Sequence, residues 1–164
     1  MSLAQTIKGE IGSRFSGEED VRALLRKDHE EALDLARQIC ETKGGAARKA
    51  LFKELKPALI AHSRAEEATV YRPLQALKQD EDARGIANEG FVEHGLLDVL
   101  LTTMSSSRTP ESETWAANAK VLHELLQHHI EEEHNQMFAE LGDNFDSEQL
   151  EAMGKRFVAA KARF

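Results

Sequence analysis

His62-Ser63-Arg64-Ala65-Glu66 and His129-Ile130-Glu131-Glu132-Glu133 decide how this chain is read. Each sets a carboxylate four residues after a histidine, and residues at i and i+4 share one face of a helix. Continued in steps of four, both ridges turn apolar: Val70 and Leu74 follow Glu66, and Met137 and Leu141 follow Glu133. Both pairs are therefore predicted to face the interior of a helical structure. The competing register in the second stretch, His128 with Glu132, leads on to Gln136 and Glu140 and reads as a solvated ridge.

Two further histidines extend the pattern. His29 falls on a face with Val21, Leu25, Ala32, Leu33, Ala36 and Cys40, and His94 on one with Ala87, Gly90, Phe91, Leu97, Asp98 and Leu101. Steps of three and four residues mark both as amphipathic helices. The four histidines, one per helix, are 33, 32 and 35 residues apart. Near-equal spacing along antiparallel helices of similar length brings such residues to a similar depth. The order His, His-x-x-x-Glu, His, His-x-x-x-Glu reads as an internal repeat.

Stop and start signals bound the helices. Ser16 with Glu19 is a capping-box signature for the first, which runs to about Thr42 before Gly44 and Gly45. The second spans about Ala46 to Gln79, with a kink expected at Pro57 and a distortion at Pro73. Asp80-Glu81-Asp82 turns into a third, to about Met104. Thr109 as cap and Pro110 at the first helical position open the fourth, which Gly142 ends. Asp146 and Gln149 box a shorter fifth helix, Ser147 to about Ala162. The predicted fold is all-α: an up-down-up-down four-helix bundle with short extra helical segments at the N- and C-termini. One domain over residues 1–164 is expected, with its bundle core at about 18–142.

Four imidazoles and two carboxylates cannot stay in an apolar core without partners. A pair of metal ions supplies them. Imidazole and carboxylate suit iron, and two carboxylates can bridge two cations. His29, His62, Glu66, His94, His129 and Glu133 would give each iron two nitrogens and two oxygens, with an oxo or hydroxo bridge as a further ligand. Zinc or manganese could occupy the same ligands as purified. The plain alternative is a structural bundle without metal.

Composition narrows the function. The chain has 164 residues with 21 basic and 29 acidic side chains, a net charge of -8. Nucleic-acid binding draws on a basic footprint, and no Lys/Arg tract is clustered here. One cysteine, Cys40, cannot build an intramolecular disulfide, a thiolate zinc site or an Fe–S cluster. It reads as a small core residue. No stretch nears the roughly 18 apolar residues of a membrane span, and Met1 to Arg14 carries no signal-peptide run, so a cytoplasmic location is expected.

Lys27-Asp28-His29-Glu30, His62 to Glu67 with Tyr71-Arg72-Pro73, Glu93-His94, and His129 to Glu133 with Phe138 resemble the hemerythrin/HHE cation-binding family over about Val21 to Leu141. The resemblance implies a non-haem di-iron centre that binds or reacts with O2, NO or peroxide, in a sensing, redox or stress-response role. Two positions depart from the oxygen carriers of the family. Asp98 stands where they have a second third-helix histidine, and His134 where they have an aspartate, with Glu133 one position earlier. The chain is closer to the subgroup with four His and two Glu, which includes iron–sulfur-cluster repair proteins. Iron storage or donation, or a repair-type role, is therefore the alternative expectation. Asp98 is a candidate weak ligand, or an acceptor for a ligand's N–H. Asp28 reads as a surface charge, Tyr71 as packing at the helix end or as a gate or hydrogen-bonding group near the site, Trp115 as packing, and His123, His128 and His134 as exposed. The sequence identifies no protein partner.

Overall fold

The computed structural model describes residues 19–164. Helix α1 is Val21–Glu41. Helix α2 is Gly45–Glu66, and its rod continues through a wide π-turn, Glu67–Tyr71, into Arg72–Gln75. Helix α3 is Glu81–Ser106. Helix α4 is Glu113–Glu132, continued by a second π-turn, Glu133–Met137, and by Phe138–Asn144. Helix α5 is Ser147–Lys161. No strand occurs among the described residues. Short connections make α1 to α4 an up-down-up-down bundle, with α5 laid against α1 and α2.

Capping side chains set the starts. Asp20, Asp80, Ser112 and Asp146 each accept a backbone N–H of the first turn. Asp146 and Gln149 form the expected capping box. Two starts differ from expectation. Asp20, not Ser16, caps α1, and Ser16 lies outside the described residues together with the expected N-terminal helical segment. Ser112, not Thr109, caps α4, and Pro110 sits in the turn before it. The Ser112 hydroxyl reaches the Trp115 N–H at 3.2 Å. Trp115 lies on the buried face with Ala119 and Leu122, its indole N–H on the Met104 carbonyl at 3.2 Å.

Helix α2 runs unbroken through Pro57, which lies on the exposed face. There water can solvate the Lys53 carbonyl that loses its helical partner. The distortion comes instead just before Pro73, where the Arg72 N–H bonds to the Glu67 carbonyl, five residues back. On the other rod the Phe138 N–H bonds to the Glu133 carbonyl in the same way. A π-turn rotates the face that follows it, and such turns gather at functional sites. Here the turns begin at Glu67, directly after Glu66, and at Glu133 itself.

The core forms two apolar clusters. One, under α5, includes Val21, Leu25, Val70, Leu74, Met137 and Phe157. The other fills the far end with Ile39, Leu55, Leu101, Trp115, Leu122 and Leu126. Cys40 is exposed, and Ile39 takes the core position expected of it. A straight helix drifts by about 20° per heptad, so the buried ridge moves by one residue toward the end of α1.

Candidate metal centre

Between the two clusters lies a buried polar layer. His29, His62, Glu66, His94, His129 and Glu133 are each 6% exposed or less. The Nε2 atoms of His29 and His62 face each other at 3.2 Å, and those of His94 and His129 also at 3.2 Å. Glu66 Oε2 lies 3.4 Å from His62 Nε2 and 3.5 Å from His94 Nε2. Glu133 lies 3.2 Å from His29 Nε2 and 3.5 Å from His129 Nε2. Each carboxylate thus touches one histidine of each pair. His128 is 59% exposed at its side chain and pairs with Glu132, as the ridge argument expects.

A ring of outer partners holds the imidazoles. His62 Nδ1 lies 3.0 Å from Asp28 of α1, and His94 Nδ1 lies 3.0 Å from Glu67 on the α2 rod. His129 Nδ1 lies 2.5 Å from Glu93 of α3, and His29 Nδ1 lies 3.0 Å from His134 Nε2 on the α4 rod. Every rod therefore orients the histidine of the next, and the circle closes. With Nδ1–H donating outward to a carboxylate, the Nε2 lone pair points to the centre. Sequence reasoning set Asp28 and His134 on the surface and gave Glu67 and Glu93 no role. All four sit one residue from an inward residue, about 100° round the helix, and so face the neighbouring rod. That adjacency is the signal that could have found them.

Asp98 does not reach the centre. It pairs with Arg64, whose guanidinium also bonds Glu67 at 2.7 Å. Tyr71 is fully buried and donates its hydroxyl to Glu133 Oε1. Gly90 makes room for it, since a Cβ there would run into the Tyr71 ring.

The protons respond to this crowding. Burial works against a charge on His62, but the Glu66 and Asp28 carboxylates raise it to about 10. The same opposition, resolved by Glu66 and Glu67, raises His94 to about 9. Burial and the His62 charge hold His29 well below the usual imidazole range. Burial, then the Glu66 charge, pushes Glu133 up to about 7.

The donor set fits cations. The facing Nε2 atoms of each pair, 3.2 Å apart, share a proton in the metal-free protein, and a metal cation can take that proton's place. Both Glu66 oxygens and Glu133 Oε2 are buried without a hydrogen-bond partner among the described residues. The ligand atoms of His29, His62 and Glu66 lie within 4.8 Å of one another, and so do those of Glu66, His94 and His129. A cavity of about 80 Å³ adjoins the layer, walled by Leu59, Leu97 and Leu126, with Asp28 and Lys161 among its lining. Lys161 reaches back from α5 to Asp28 at 2.5 Å.

By fold and site this is a cation-binding helical bundle. The profile of the Hemerythrin HHE cation binding domain matches residues 20–141, so the chain belongs to that family. It is also 22% identical over 160 residues to a protein described as a DNA nickase from Nostoc sp. (strain PCC 7120 / SAG 25.82 / UTEX 2576). That match takes in 94% of this chain and 44% of the relative, so the chain spans less than half of the relative's length. No solved structure matches the chain significantly. Among the described residues, no helix is long and apolar enough to cross a membrane.

Proposed function

We propose that residues 1–164 are one hemerythrin-like domain of the cytoplasm in which His29, His62, Glu66, His94, His129 and Glu133 hold two iron ions. Its role is to bind or react with O2, NO or peroxide in sensing, redox or stress response. One observation carries the proposal: two facing Nε2 pairs are spanned by a fully buried carboxylate, Glu66, that has no hydrogen-bond partner. Two irons bound there supply small-ligand binding and electron transfer.

The chain's own residues prepare for that chemistry. Asp28, Glu67 and Glu93 fix three imidazoles in the tautomer that offers Nε2 inward. Tyr71 holds Glu133 by its hydroxyl. The leucine-walled cavity has room for a few diatomic molecules, since one water needs roughly 10–15 Å³ of such space. The nicking of DNA named for the Nostoc relative belongs to a chain of which the match covers 44%, and a net charge of -8 offers phosphates no basic footprint. That activity is not carried over.

The test is to load the protein with ferrous iron anaerobically and add O2, NO and H2O2 separately. A change in the visible spectrum with at least one of them is expected. Iron-loaded protein that is spectrally silent to all three would sink the small-ligand reading.

A further inference from the structure

The first turns of α2 have a charge balance unlike the rest of the chain. From Lys43 to Ala65 there are six Lys and Arg side chains against one acid, Glu54, although the whole chain carries a net charge of -8. Lys49, Lys53 and Lys56 follow one another in steps of four and three, so they share one face of the helix. Like charges in that relation destabilise a helix. Lys56 donates to Ser105 Oγ at the end of α3 at 2.7 Å. Lys49 and Lys53 are exposed and have no hydrogen-bond or ion-pair partner among the described residues.

The row borders an open cleft of about 320 Å³ between α2, the end of α3 and the connection to α4. All three lysines line this cleft, and no acidic side chain does. Phe52, Met104 and Trp115 also line it, although each is 8% exposed or less, so they form its floor. The Phe52 and Trp115 rings meet edge-on at 5.8 Å. Small-molecule sites have this make-up: about 300–1,000 Å³, mostly apolar walls and a few polar groups that fix orientation. The unmatched charge is positive, so the complementary group is an anion. Three charges over two helical turns are too short a row for a phosphate backbone, but they suit one acid group.

We propose that this cleft binds a small organic anion with a flat apolar body, an aromatic carboxylate by class. The ring lies against Phe52 and Trp115, and the carboxylate meets the unpaired ammonium groups of Lys49 and Lys53. A neutral ring gains the apolar contact alone and a bare acid the charge alone, so a ligand with both binds best. The site is independent of the polar layer, because its floor belongs to the apolar cluster at the other end of the bundle.

Naphthoate is a suitable probe. The chain has one tryptophan, so the Trp115 indole N–H gives a single peak in an amide NMR spectrum and reports on this cleft. Naphthoate is titrated into the whole chain, with neutral naphthylmethanol and acetate as comparisons. A saturable shift of the Trp115 peak is expected with naphthoate, at an affinity about tenfold or more above either comparison. Lys49→Glu and Lys53→Glu should each weaken naphthoate about tenfold, the scale of exchanging one exposed attraction for a repulsion. Both side chains are exposed, so the rest of the spectrum should stay in place. Lys155→Glu makes the same charge change at an exposed position on α5 and should bind as wild type. The absence of a saturable shift overturns the proposal. So does equal binding of the neutral alcohol, wild-type binding by both cleft variants, or equal weakening by Lys155→Glu, which would mean apolar adsorption or net charge only.

Discussion

The two ends of the bundle are built differently. The end with Trp115, Leu122 and Leu101 is a plain helical core of interdigitated apolar side chains. The end under α5 begins at the polar layer, carries both π-turns and has a fifth helix laid over it. Phe157 of α5 packs edge-on against His62 at 5.7 Å, and Lys161 holds Asp28. Gly154 lets α5 come this close, since a Cβ there would strike the Glu19 carbonyl. The plain end gains its stability from apolar burial, with the Trp115 indole satisfied by the Met104 carbonyl. The other end gathers Glu66 and Glu133 in its core, where protonated His62 and His94 balance them in the metal-free protein and a bound cation would take over that balance. Stability should therefore depend on metal at one end and not at the other.

Glu66→Ala gives the largest effect. It should remove most bound iron, as metal analysis will show, and abolish the rise in melting temperature on loading. That rise is worth about 4 kcal/mol at a thousandfold excess over Kd. Leu122→Ala breaks the other end. It should cost about 2–5 kcal/mol, by the same amount with and without metal, in denaturant titrations of both forms. A Leu122→Ala cost that changed with loading would erase the contrast between the two ends.

The pH dependence sharpens it. In the metal-free protein His62, raised to about 10, and His94, raised to about 9, keep their protons at neutral pH. Metal must displace them, so affinity should climb as pH rises toward those values. Loading at pH 7.5 should release about two protons per chain from this pair, read by a pH dye in weak buffer. The smallest expected effect is that of Gly90→Ala. The new Cβ pushes the Tyr71 phenol off Glu133, at a cost of about 1–3 kcal/mol from overpacking. It should change the spectrum of the loaded protein, while a Gly85→Ala control in open space on the same helix should not.

Much of this was legible in the sequence. Steps of three and four residues gave the helices, and matched spacing brought His29, His62, His94 and His129 to one depth. The ridge from His129 through Met137 chose the inward register over His128. The π-turns were not legible, because Val70 and Met137 keep an apolar pattern whether the turn is α or π. Nor was the outer ring. Asp28, Glu67, Glu93 and His134 have the composition of a solvated face, and only the packing of adjacent rods gives them partners. Thr109 and Ser112 are both capping residue types, and only the structure shows that the Ser112 hydroxyl is the one that takes a first-turn N–H. The inward drift of Ile39 past Cys40 shows the limit of a fixed period over a 21-residue helix.

The central claim is that the buried layer holds a pair of metal ions. The most direct measurement is the iron content of anaerobically reconstituted wild type, after desalting, beside Glu66→Ala and His62→Ala. The account predicts about two irons per chain in wild type, one for each facing histidine pair, and far less in both variants. Wild type that retains no iron, or variants that retain as much as wild type, would contradict it.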